Sequence, residues 1–206
     1  MFLQQLQVGP LETNCYIIAD EKSKIAAIID PGENAKQIIN AVNEAELKVK
    51  YIFLTHGHSD HIAALKEIKE ATGAKIVIHE LDAHMLTSAE SNLSFLLGER
   101  FTQPSADIKL KGSEEFRLGD LFLEIIHTPG HTPGGISIKV GNVVFTGDTL
   151  FAGSIGRTDF PGGSFDMLIS SIKEKLLTLP DDTKIYPGHG EPSTIGYEKM
   201  RNPFLR

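Results

Sequence analysis

Thr55-His56-Gly57-His58-Ser59-Asp60-His61 sets three imidazoles and a carboxylate into six consecutive positions, directly after the apolar run Tyr51–Leu54. Packing has no use for four adjacent polar groups at the mouth of a strand, and only a bound cation relieves their crowding and desolvation cost. The arrangement recurs three times. Leu123-Glu124-Ile125-Ile126 leads to His127 and His131, Asn142–Gly147 ends at Asp148, and Lys184–Gly188 ends at His189. Four β-type runs thus each carry a potential ligand at the C-terminal tip. A fold for this chain must bring those tips to one edge.

Composition sets few further limits. With 206 residues, 41% apolar and 23% charged, the chain suits one domain spanning 1–206 with a sizeable core. No apolar run approaches the roughly 18 residues of a membrane span, and the start Met1-Phe2-Leu3 has no basic leader, so a soluble cytoplasmic protein is expected. A net charge of −7 without a basic block disfavours a nucleic-acid partner. The single cysteine, Cys15, sits in Asn14-Cys15-Tyr16-Ile17-Ile18 and reads as a buried strand thiol rather than a nucleophile.

Along the chain, Asp30-Pro31-Gly32 ends the run Ile25–Ile29, and helical spacing marks Ala35–Glu46 and the stretch from Ile62 to Gly73. Ile76–Ile78 reads as a strand, and residues 80–105 as helical or irregular, overhanging the ligand loops or covering the core. Leu121–Phe145 reads as consecutive strands. A helix is expected over Phe165–Leu179, a strand over Lys184–Tyr186 and a closing helix over Tyr197–Met200. The pattern suggests two β-layers between outer helices.

Seven ligand-competent residues exceed what one four-coordinate ion can use, so two divalent ions are expected. His56, His58 and His131 form one set, and Asp60, His61 and His189 a second. Asp148 is the natural bridge. Zinc is the expected metal, although nitrogen and oxygen ligands also suit iron and manganese. Paired ions lie ~3.5–4 Å apart and lower the pKa of a shared water from ~15.7 toward neutrality, giving a hydroxide that attacks a carbonyl. The motif offers no serine or cysteine nucleophile with a spare histidine base, so direct attack is favoured over a covalent route. A thiolate, with a pKa near ~8.5, leaves without a strong general acid, which points to a small-molecule thioester substrate. Asp30, at another strand tip, either orients a metal-bound imidazole or caps its turn. His79 and His84 read as surface residues, and His127 as structural.

Thr55–His61, His131, Asp148 and His189, in that order, resemble the metallo-β-lactamase superfamily, in particular its glyoxalase II-like branch. Gly147–Asp159, Tyr186-Pro187-Gly188-His189-Gly190 and Asn202-Pro203-Phe204 are similar to the small bacterial hydroxyacylglutathione hydrolase-like members. The resemblance implies an α/β fold, the αββα sandwich of two β-sheets flanked by helices. It also implies two metals at one edge, with Asp60 and Asp148 serving the metal-bridging hydroxide, and hydrolysis of S-2-hydroxyacyl glutathione by a monomer or homodimer. Longer glyoxalase II enzymes add a C-terminal helical domain whose basic residues hold glutathione, and little of this chain follows His189. Arg157 is the residue expected nearest the substrate, or else a salt-bridged structural arginine. Lactamases proper carry a cysteine where Asp148 stands, and flavodiiron proteins a glutamate where His58 stands. Persulfide dioxygenases, with one iron, and lactonases are the alternatives within the superfamily.

Overall fold

In the computed structural model, which describes residues 1–206 apart from the side chain of Leu97, the apolar runs form two six-stranded sheets. The first contains, in spatial order, β1 (Phe2–Val8), β2 (Thr13–Ala19), β3 (Ile25–Ile29), β4 (Lys48–Phe53), β5 (Lys75–His79) and β6 (Ile108–Leu110). β1 to β3 are antiparallel, and β3 to β6 run parallel. Parallel neighbours require a crossover. The helix α1 (Ala35–Glu44) makes the first, and α2 (Ser59–Ile62) with α3 (Leu65–Thr72) the second. The second sheet comprises β7 (Glu115–Leu118), β8 (Leu121–His127), β9 (Ile136–Val140), β10 (Val143–Gly147), β13 (Lys184–Pro187) and β14 (Ser193–Thr194). A small hairpin, β11 (Leu150–Phe151) and β12 (Ser154–Ile155), follows β10. The helix α4 (Phe165–Ser171) crosses to β13, which pairs parallel with β10, and α5 (Ile195–Arg201) closes the chain.

Period-two alternation assigns each strand residue to a layer. Cys15 and Ile17 of β2 face the α1/α3 side, while Tyr16 and Ile18 face the second sheet. Ile76 and Ile78 of β5 split from Val77 in the same way. Strands covered on both faces read as nearly unbroken apolar runs, which is why the alternation is hidden in the sequence. A third apolar layer joins Val144 and Ile185 to Leu168, Ile172 and Leu176. The result is the αββα sandwich expected from the sequence.

Several boundaries differ from those expected. The Ile62–Gly73 helix is two pieces broken at Ala63-Ala64, with Gly73 at φ +68 ending the second. The helix over 165–179 ends its regular α-turns at Ser171, and Ile172–Leu176 is more loosely wound. β6 and β7 leave no mark in the sequence, because three- and four-residue strands carry too little alternation to register. Residues 80–105 contain two short tight-wound turns, Ala83–Thr87 and Ser94–Leu97.

Candidate metal centre

The direction of the strands gathers the candidate ligands. β3, β4 and β5 end at one edge, and β8, β10 and β13 end at the facing edge of the second sheet, so every candidate tip opens into the same crevice. There His56, His58 and His131 offer nitrogens that all lie within 4.8 Å of one another, as do the donor atoms of Asp60, His61 and His189. Asp148 faces both groups. Its Oδ1 lies 3.4 Å from His61 Nε2, and its Oδ2 lies 3.6 Å from His131 Nε2 and 3.8 Å from His189 Nε2.

The far nitrogen of each of four rings is committed to a neighbour, which aims the other at the crevice. His61 Nδ1–H donates to Asp30 Oδ2 at 3.0 Å. His131 Nδ1–H donates to the Arg157 carbonyl at 2.7 Å, and His189 Nδ1–H to the Leu11 carbonyl at 3.1 Å. The Thr55 hydroxyl donates to Asp30 Oδ2 at 2.6 Å, so its oxygen is free to accept from His56 Nδ1–H at 3.2 Å. Asp30 therefore steers two imidazoles and is more than a turn cap. It adopts φ 51, a left-handed conformation that aspartate tolerates better than most residues.

Electrostatics favours the ligand-ready forms of His56, His58, Asp60 and Asp148. Burial, reinforced by His61, holds His56 well below the usual imidazole range, and burial with His131 lowers His58 to about 3. Burial works against ionising Asp60 and Asp148, but neighbouring imidazoles, His61 foremost, outweigh it and depress both. Burial also opposes a charge on His61, yet Asp60, Asp148 and Asp30 raise its pKa. Neutral His56 and His58 beside ionised Asp60 and Asp148 are ready for a divalent cation, whereas His61 and His189, whose pKa the carboxylates raise, release a proton when they bind it. The buried His56 Nε2 and Asp148 Oδ1 have no hydrogen-bond partner among the described residues, and a buried acceptor left so costs about 1–3 kcal/mol. The donor set fits a metal.

Close approach of the loops depends on two glycines. A methyl on Gly188 would overlap Asp148 Oδ1 and sit 2.8 Å from His61 Cε1, and one on Gly32 would overlap the Asp60 carbonyl. Gly188→Ala is thus expected to displace the Asp148 carboxylate and weaken metal binding by about tenfold or more, a loss comparable to that of an orienting partner. Metal titration followed by calorimetry measures it.

Other supports left little trace in the sequence. Asn14 Nδ2 donates to the carbonyls of Pro187 and Gly190, and the Tyr16 hydroxyl donates to Pro187 at 2.6 Å, fixing the turn before His189. Asparagine inside an apolar strand was the available signal. Thr13 Oγ1 donates to Asp60 Oδ2 at 3.2 Å. Asp82, fully buried, accepts from Thr132 Oγ1 at 2.6 Å and Gly134 N at 2.7 Å, clamping the loop that carries His131. His79 corrects the surface assignment. It is 2% exposed and stacks on His127 at 4.1 Å, because β5 delivers it between the two sheets rather than to solvent. His127 Nε2–H donates to the Pro133 carbonyl, so it ties the same loop from below. His84 is exposed as expected, and Cys15 is buried, which raises its thiol pKa.

The cleft over the centre has a volume of about 250 Å³ and is walled by Leu11, Leu93, Leu96, Arg157 and Phe160. Leu93 and Leu96 show that the 80–105 segment does overhang the candidate ligands. Ser59 also lines the cleft, but the imidazoles that line it, His58 and His131, both belong to a donor group. Arg157 stands on the rim, bonded through Nε and Nη2 to Asp159 at 2.8 and 2.7 Å.

Fold and donor set together define a metallo-hydrolase of the αββα class, with histidine and aspartate donors for divalent metal. The chain belongs to the metallo-β-lactamase superfamily, whose profile matches residues 8–189. It is 42% identical to the hydroxyacylglutathione hydrolase GloC of Haemophilus influenzae, across 100% of this chain and 98% of that protein. Among solved structures it resembles the BLEG-1 B3 metallo-β-lactamase, with a TM-score of 0.94 and 36% identity over 99% of each chain. It also resembles TTHA1623, solved in a di-iron-bound form, with a TM-score of 0.87 and 33% identity over 98% of this chain and 100% of that one. No helix of the described residues is long and apolar enough to cross a membrane.

Proposed function

We propose that this protein is a dinuclear metal-dependent thioesterase of the glyoxalase II type, hydrolysing S-2-hydroxyacyl thioesters such as S-lactoylglutathione. The observation that carries the reading is the convergence of two three-residue donor groups on Asp148. His56, His58 and His131 would hold one ion, Asp60, His61 and His189 the other, and Asp148 both. Zinc is the proposed metal, and the di-iron form of TTHA1623 keeps iron in view for this chain. When bound, the ions supply a water acidic enough to be hydroxide at neutral pH and a Lewis acid for the acyl oxygen.

The chain's own residues do the rest. Asp60 and Asp148, ionised and facing the crevice, are placed to hold and orient the attacking water through its hydrogens. Asp30, through His61 and Thr55, keeps two imidazoles in the tautomer that points a lone pair inward. Leu93, Leu96 and Phe160 exclude bulk water from the acyl group, which strengthens every charge interaction inside. A thiolate leaves without a protonated side chain, consistent with imidazoles all engaged elsewhere.

The name of the GloC relative supports the glutathione thioester, and that of BLEG-1 makes a β-lactam a necessary control. The test is a side-by-side assay of metal-loaded protein with S-lactoylglutathione, an acyl-homoserine lactone, a β-lactam and glutathione persulfide, with oxygen uptake followed in the last. Thioester cleavage, with a weak KM for the glutathione ester, is expected. Oxygen consumption with the persulfide and no thioester cleavage would instead make the protein an iron dioxygenase.

A further inference from the structure

Arg157 is the sole lysine or arginine among the described residues that line the cleft, and it is already engaged. Asp159 takes two of its N–H groups in a parallel fork, the strong geometry for a guanidinium and a carboxylate. The guanidinium carbon also lies 3.8 Å from the centroid of the Phe160 ring, whose edge contacts His58 at 5.6 Å between centroids. The Arg157 carbonyl is held by His131, so the backbone cannot swing the side chain away without disturbing a candidate ligand. Apart from Ser59 and the candidate metal ligands on its floor, the remaining walls, Leu11, Leu93, Leu96 and Phe160, are apolar. A substrate carboxylate entering this cleft meets apolar surface and a cation whose charge is matched by a carboxylate two residues away.

We propose that Asp159 is a specificity-determining residue that masks Arg157, biasing the cleft toward thioesters whose thiol half is apolar and uncharged and against carboxylate-bearing thiols. This rests on the thioesterase reading. Both partners are more than half exposed, so the mask is an exposed ion pair and its effect on anionic substrates is modest.

Wild-type protein, Asp159→Asn and the double variant Asp159→Asn/Arg157→Gln, all metal-loaded, would be assayed with two lactoyl thioesters, one of glutathione and one of butanethiol. In parallel, calorimetry would measure the Kd of S-hexylglutathione, a thioether that cannot be hydrolysed. The wild type is expected to show the lower KM for the butanethiol ester. Asp159→Asn should lower the ratio of the glutathione KM to the butanethiol KM about two- to five-fold, the size of an exposed ion pair, with a similar fall in the Kd. The gain should fade in high salt and disappear in the double variant. A wild-type preference for the glutathione ester, or an unmoved ratio and Kd in Asp159→Asn, would overturn the proposal. So would a gain that survives Arg157→Gln, since Asp159 would then act by its own charge alone. If neither ester is cleaved, the thioesterase reading fails, and the Kd series still decides whether Asp159 masks Arg157.

Discussion

Replacing Asp148 with alanine is expected to remove at least one ion per chain and to lower turnover by more than about a hundredfold. Removing a residue that only orients a ligand costs about 10–100-fold, and Asp148 is the residue that faces both donor groups. Its carboxylate stands within 4 Å of His61, His131 and His189, and no other described acid approaches those three rings together. The substitution also removes one of the carboxylate charges that raise the pKa of His61. Metal content measured by mass spectrometry, alongside thioester turnover, reads both effects. An Asp148→Ala protein with two ions and full activity would show that the centre has been wrongly assigned.

Asp30→Asn should nearly match that loss of metal affinity without unfolding the chain. Asparagine suits the left-handed backbone at φ 51 and can still accept from the Thr55 N–H, which Asp30 Oδ1 holds at 2.7 Å. Its amide nitrogen, however, would face two donors, the Thr55 hydroxyl and His61 Nδ1–H. His61 then either loses its partner or changes tautomer, turning a proton into the crevice. Metal affinity is expected to fall about 10–100-fold. Asp30→Ala should add a stability loss of at least about 2 kcal/mol, because three buried donors are stranded. Metal titration and thermal melts of the two variants separate the contributions, and equal metal affinity in Asp30→Asn and wild type would contradict the steering role.

What the sequence made legible follows a physical rule. Ligands stand out when chemistry overrides packing, as in His56–His61, and strand tips stand out when Gly or Pro ends an apolar run, as at Gly147 and Gly188. The four-layer fold was legible for a related reason, since Cys15–Ala19 of β2 and all of β3 are apolar on both faces and require cover on each. Supporting groups were hidden because their partners are distant in the chain. Asp82 is tied to Thr132 and Gly134, and Asn14 to Pro187 and Gly190, with nothing local to mark either. His79 differs from its expected surface position for the opposite reason. A histidine at a strand end is usually solvated, and only the packing of β8 against β5 buries it. β6 and β7 are too short to show a period.

The central claim is that seven side chains from four strand-end loops hold two ions. Native mass spectrometry of the protein purified without chelator, with the metal identified elementally, tests it most directly. Two divalent ions per chain are predicted, falling to one or none in Asp148→Ala. A firm value of one iron per chain in the wild type would contradict the dinuclear centre and, with it, the thioesterase built upon it.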